Sequence, residues 1–227
     1  MVGLGPLWLL LLVLPLLLAV YAQARVVSVY GRYTLVPSTR GLSGAEVARR
    51  LLHSTGLEGV RVEAIAGRLS DHYDPRAKVL RLSRGVYHSP SVAAVSIAAH
   101  EVAHALQDAE GYGLMRLRHN LVSAAVAAGS LTLLFLLLGA LLGSLHLVAV
   151  GVACFAALAA FHLVTLPVEL NASLRARRLL AALGLVTPEE ARAVRQVLTA
   201  AALTYTTVFL QALGGLLYFL FLGVRRD

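Results

Sequence analysis

At 227 residues, 58% hydrophobic and 14% charged, with a mean hydropathy of +0.75, the chain carries far less charge than the roughly 25% of a soluble globular domain, which excludes a plain water-soluble globule. Its formal net charge of +8, from 20 Lys and Arg against 12 Asp and Glu, suits anionic lipid, nucleic acid or membrane topology, and position along the chain decides among them. A single cysteine, Cys154, excludes an internal disulfide framework and a cysteine-rich zinc cluster.

The first apolar run, residues 4–22, has no charge and is long enough for a bilayer-spanning helix. The Ala22-Gln23-Ala24 that follows resembles a signal-peptidase site, but no Lys or Arg precedes the run, and it exceeds the roughly 7–15 apolar residues of a signal core, so a retained anchor is the favoured reading. Ser43 with Glu46 predicts a capping box opening a helix that carries Val47, Leu51 and Leu52 and stops at Gly56. Residues 60–65 and 78–82 have strand character, and Asp71-His72-Tyr73-Asp74-Pro75 between them reads as a turn. Ser89 with Pro90 predicts the start of a helix running to about Gly111.

Residues 121–143, 146–168 and 203–224 are three further uncharged runs of spanning length, so four spans are expected. Thr187-Pro188-Glu189-Glu190 predicts a second capping box, whose helix feeds into the last span. Thirteen of the 20 basic residues lie between Arg25 and Arg118, and five more between Arg175 and Arg195. Basic loops stay in the cytoplasm, which predicts a multi-pass protein of the plasma membrane with both polar segments inside; only Arg225 and Arg226 of the tail run against this. The positive charge is then a topology signal, and with no recognition motif beside it no nucleic-acid partner is expected.

His100-Glu101-Val102-Ala103-His104 is an H-E-x-x-H motif within the helix predicted from Ser89 to about Gly111. Its two imidazoles project from one face a turn apart, the spacing that suits one zinc ion. A catalytic zinc takes three protein ligands and leaves a position for water, and Glu101, beside His100, is placed to act as general base. A third ligand should come from a later element. Glu169, the only acid between Glu110 and Glu189, is the candidate, with His162 seven residues earlier on the same helical face as its rival. His119 and His146, at span ends, read as interface residues. Asp108, one turn after His104, reads either as a carboxylate that orients its free ring nitrogen or as a solvated acid on the helix surface. Asp71, His72 and Asp74 form another polar cluster, either a second metal site or a hydrogen-bonded turn.

The segments LSDHYDPRAKVLRLS, GVYHSPSVAAVSIAAHEVAHALQ, LVTLPVELNASLRA and AALTY resemble the YugP-type "putative neutral zinc metallopeptidases", multi-pass membrane proteins, over nearly the whole chain. A more distant similarity links it to the HtpX-like and prenyl-protein endopeptidases, whose third zinc ligand is the glutamate of an E-x-x-A-D motif. Glu169-Leu170-Asn171-Ala172-Ser173 matches all but the last position, so the resemblance implies Glu169 as the ligand. Ser173 stands where that family has aspartate, and Asn171 is the alternative for its supporting role; Ala103 stands where glycine is expected.

The resemblance implies a mainly α membrane protein of about four transmembrane helices with a small α+β zincin-like, gluzincin-type catalytic domain. It also implies one Zn²⁺ per chain and peptide-bond hydrolysis of protein or peptide substrates, with membrane proteins one candidate class. The strand residues Val79, Leu80, Arg81 and Leu82 would then form either an edge that aligns an extended peptide or an ordinary packed strand. The expected organisation is an anchor over 1–24, a catalytic segment over 25–120, a transmembrane hairpin over 121–168, a helical segment supplying the third ligand over 169–202, and a last span with its tail over 203–227. Two other readings compete: an intramembrane protease, although the apolar run before His100 is only about ten residues, and a membrane scaffold whose zinc is structural, which needs a fourth ligand such as His162 or His72.

Overall fold

The computed structural model describes residues 5–224. The chain is mostly helical with one three-stranded sheet, and it divides into two compact units. One comprises the described parts of residues 1–23, 113–167 and 203–227, and the other residues 24–112 and 168–202.

In the first unit, α1 (Gly5–Trp8), a π-helical turn over Leu9–Val13 and the start of α2 (Leu14–Thr34) form one rod. It is joined by α6 (Gly113–Leu142), by most of α7 (Leu145–Ala182) and by the end of α8 (Pro188–Val224). Among the described residues, four helices, Pro6–Thr34, Gly113–Leu142, Leu145–Ala182 and Pro188–Phe221, are long and apolar enough to cross a membrane; at about 1.5 Å per residue each exceeds the roughly 30 Å of a hydrocarbon core. Side-chain size sorts the faces of α6. Ala125, Ala128, Thr132 and Gly139 are buried, whereas Leu133, Leu137 and Leu141 point outward. Gly143, at φ +62°, makes the turn into α7, and Ser144 N–H donates to Gly139 O at 2.9 Å. A Cβ on Gly151 would stand 2.7 Å from Leu136 Cγ, so glycine is what lets the hairpin helices meet there.

The second unit is built around α5 (Val92–Ala109). This helix is small and apolar on nearly every side, and Val95, Ala98, Ala99, Val102 and Ala103 are all sealed from solvent; a helix apolar all round must be enclosed. Around it pack Val47, Ala48, Leu51 and Leu52 of α3 (Gly44–Ser54), together with Ala172, Ala176 and Leu180 of α7 and Val194 and Leu198 of α8. Both predicted capping boxes are present. Ser43 and Glu46 exchange hydrogen bonds at the start of α3, and Thr187 and Glu190 do so at the start of α8. Glu190 Oε1 also accepts from Thr39 N–H at 2.6 Å, which ties the 35–43 loop to α8.

The sheet has the order β1-β3-β2: β1 (Arg61–Ile65) runs parallel to β3 (Val79–Ser83), and β2 (His72–Asp74) runs antiparallel to it. Three sequence expectations are corrected here. Residues 71–75 are not simply a turn, because His72–Asp74 pair with β3; a three-residue strand with polar ends is too short to show an alternating pattern. The turn starts at Asp74, whose Oδ1 accepts from Arg76 N–H and Ala77 N–H at 3.0 and 3.1 Å. Second, β3 is the central strand and not an edge, since β1 and β2 flank it; Val79, Leu80 and Leu82 are fully buried, as the near-continuous apolar run of a two-sided strand requires. Third, Ser91 rather than Ser89 caps α5, accepting from Ala94 N–H at 3.2 Å, while Pro90 O accepts from Ser38 N–H. A short helix, α4 (Arg84–Tyr87), links β3 to α5.

Candidate metal centre

The two histidines of the motif sit on one side of α5, with ring centroids 4.7 Å apart and planes at 83°. Glu169 approaches from α7, its side chain only 2% exposed. Its Oε2 lies 3.1 Å from His100 Nε2 and 3.5 Å from His104 Nε2. One ligand atom from each of these three residues falls within 4.8 Å of the others. Zinc bonds of about 2.0–2.1 Å in a tetrahedral arrangement put neighbouring ligand atoms about 3.3 Å apart, and the two measured separations bracket that value. The donor set, two imidazole nitrogens and a carboxylate oxygen, is also one that zinc takes. The residues therefore fit a zinc ion.

The far nitrogens of both rings are held. His100 Nδ1 is 3.3 Å from Ser173 Oγ, and His104 Nδ1 is 3.0 Å from Gln107 Oε1. Gln107 is wholly buried, and its Nε2 donates to Val168 O at 2.9 Å and to Asn171 Oδ1 at 3.0 Å. Fixing the second ring nitrogen orients the imidazole and sharpens its affinity for metal. Ser173 and Asn171 thus both lie at the site, one against His100 and the other behind Gln107. Gln107 itself was not anticipated from the sequence, although its place three residues after His104 sets it on the same helical face.

Asp108 does not orient His104. Its Oδ2 accepts from Tyr73 Oη at 2.8 Å and from Lys78 Nζ at 2.7 Å, fastening the β2–β3 hairpin to α5. Glu101 is 8% exposed. Burial pushes its carboxyl up to about 7, a shift that His100 opposes and that Glu169 and Asp71 reinforce. Asp71 is occupied in accepting from Ser83 N–H and Oγ at 2.7 and 3.1 Å, and its own carboxyl is raised by burial. Asp74 pairs with Arg81 Nη1 at 2.8 Å, and His72 Nδ1 meets Ser70 O at 2.8 Å. Among the described residues, the acids and imidazoles grouped closely enough for a metal are His100, His104 and Glu169, and neither His162 nor the Asp71–Asp74 cluster joins them.

A family profile described as "Putative neutral zinc metallopeptidase" matches residues 8–223. The chain is 44% identical over 212 residues to "Putative membrane protease YugP" of Bacillus subtilis (strain 168), covering 92% of this chain and 94% of that protein. No solved structure matches it. The four apolar helices and the membrane-protease relative together mark a membrane protein. With the profile spanning almost every residue, the chain belongs to the family of putative neutral zinc metallopeptidases.

Proposed function

We propose that the chain is a zinc-dependent membrane endopeptidase that hydrolyses peptide bonds in protein substrates, using a zincin-like, gluzincin-type catalytic unit. The observation that carries this reading is the convergence of His100 Nε2, His104 Nε2 and Glu169 Oε2 at the separations of a tetrahedral zinc site. These three residues would hold the ion. Bound there, zinc would polarise the scissile carbonyl and lower the pKa of a water at its open position. Three ligands rather than four favour a catalytic over a structural site, and α5 is not among the helices long and apolar enough to span a membrane, which argues against intramembrane cleavage.

Glu101 is the general base. Its buried carboxyl, next to His100 on the same helix, would take the proton of the attacking water and return it to the leaving amine. Ser173 and Gln107 hold the two imidazoles in place from behind. The distribution of basic residues supports the reading that this site faces the cytoplasmic side of the plasma membrane.

The test is metal analysis paired with a peptidase assay on purified protein. Glu101→Gln should keep zinc and lose about 10²–10⁴-fold in turnover, whereas Glu169→Ala should lose the metal. If Glu101→Gln cleaves as fast as wild type, the assigned mechanism is wrong.

A further inference from the structure

The two histidines of the site are held by different kinds of partner. Ser173 Oγ, beside His100 Nδ1 at 3.3 Å, is a hydroxyl that can donate or accept, so it leaves the protonation of that ring open. His104 is different, because its partner is the last member of a chain of directional hydrogen bonds that begins at an arginine.

Arg175 has five N–H donors and no acceptor, and it keeps its charge in proteins. Its Nε donates to Asn171 at 2.7 Å, one turn back on α7, and its Nη1 donates to Glu110 Oε2 at 2.6 Å. The Asn171 atom facing Nε must therefore be the carbonyl oxygen, since the flipped amide would set donor against donor. That same oxygen accepts from Gln107 Nε2 at 3.0 Å, and the second Gln107 amide hydrogen goes to Val168 O at 2.9 Å. With its amide nitrogen committed to two acceptors, Gln107 can present only its oxygen to His104 Nδ1, at 3.0 Å. A side-chain carbonyl only accepts. His104 Nδ1 then carries a ring proton, which leaves Nε2, on the side of Glu169 and His100, as the only ring nitrogen that can give a lone pair to a metal.

We infer that Arg175, acting through Asn171 and Gln107, keeps a proton on His104 Nδ1 before any metal binds and so reserves Nε2 as the nitrogen that ligates the metal. Arg175, Asn171 and Gln107 are positioning residues. The relay rests on the zinc reading only for its purpose, because the ring proton of His104 can be observed in metal-free protein.

The experiment uses the full chain in detergent, with ¹⁵N shifts of the His104 ring in the metal-free state and zinc affinity by competition against a chelator. Gln107→Leu and Asn171→Leu should lower zinc affinity by about 10–100-fold and give His104 a mixture of the two ring forms. Asn171→Asp, whose oxygens accept from both Arg175 and Gln107, should keep the wild-type ring form and an affinity close to wild type. Arg175→Leu, on a partly exposed side chain, should shift both readouts in the same direction as Asn171→Leu. Glu110→Gln, which removes only the outer ion pair, should shift neither. The relay is overturned if Asn171→Leu and Arg175→Leu leave His104 wholly in the Nδ1–H form, or if Asn171→Asp is as damaging as Asn171→Leu. A wild-type protein that binds no zinc would sink the peptidase reading instead, and the ring shifts would still decide the relay.

Discussion

The two units of this chain solve the burial problem in opposite ways. In the first, the most apolar stretches of the spanning helices are mostly uncovered, with only 11–17% of residues buried in three of the four; leucines point out, and alanine, glycine and threonine lie inside. In the second, large apolar side chains fill a closed core, Leu51, Leu80, Leu82 and Leu180 being fully buried, and polar ends are closed by capping boxes and ion pairs. The contrast identifies the solvent of each. Lipid rewards exposed leucine and leaves packing to small residues, whereas water drives leucine into a core.

The largest expected effect comes from placing the same charge on each. Leu133 in α6 is 64% exposed, and Leu35, in the loop after α2, is 84% exposed. In a water-facing protein both would accept arginine with a change within about 0.5 kcal/mol. Leu133→Arg should instead cost about 2.5–3.5 kcal/mol of insertion free energy, read as loss of carbonate-resistant membrane association or of folded yield. Leu35→Arg should behave as wild type. Equal tolerance at the two positions would erase the distinction between the units.

How much of this was legible in the sequence follows the same division. The spans were legible because a bilayer demands about twenty uncharged residues in a row, a signal that needs no partner. The motif and both capping boxes were legible because each is local to a single turn of helix. The sheet was less so. His72–Asp74 becomes a strand only through its pairing with β3, and the central place of β3 depends on β1, which arrives from the other side. The supports of the metal centre show the same limit. Asp108 has the right spacing to reach His104, yet it is drawn off by Tyr73 and Lys78, while Gln107, with an equally suitable spacing, takes the role because Asn171 of α7 faces it. A spacing on one helix offers candidates, and the neighbouring element chooses between them.

A second expected effect concerns the cost of keeping a carboxyl inside the water-solvated unit. The Glu101 carboxyl is raised from its ordinary 4.5 to about 7, chiefly by burial. Below the lower value it is protonated whether the metal-free chain is folded or not, and burial costs nothing extra. As pH rises from the lower value to the higher, the unfolded chain ionises while the folded carboxyl stays protonated, so stability is lost across that window, by about 3 kcal/mol in total, and above it the folded state holds a buried charge. Glu101→Gln has no such titration. In chelator-treated protein it should therefore unfold at a higher temperature than wild type at about pH 8, with the gap closing near pH 4. A gap that is the same at both pH values would show that burial of this carboxyl is not what sets it.

The smallest effect tests whether the polar ties of the second unit are worth what ties in water are worth. Tyr73 is 8% exposed, and its hydroxyl donates to Asp108 Oδ2, which also holds Lys78 Nζ. Tyr73→Phe removes one of two donors to that oxygen and leaves the ring in place, so the loss should be about 1 kcal/mol, the usual net worth of a hydrogen bond. Burial and the neighbouring Asp108 push the phenol well above its ordinary range, so it stays protonated through neutral pH and the loss should be constant between about pH 6 and about pH 9. The change should also be local. Tyr73 is the middle residue of β2, paired with Leu80 of β3, and the bond to Asp108 is what fastens this edge strand to the last turn of α5. Hydrogen exchange at residues 72–74 should accelerate, while exchange in α5 around His100 and His104 stays as in wild type. If α5 loosens as well, the hairpin and the helix that carries the metal ligands unfold as one cooperative element, and β2 is part of what holds the site in shape.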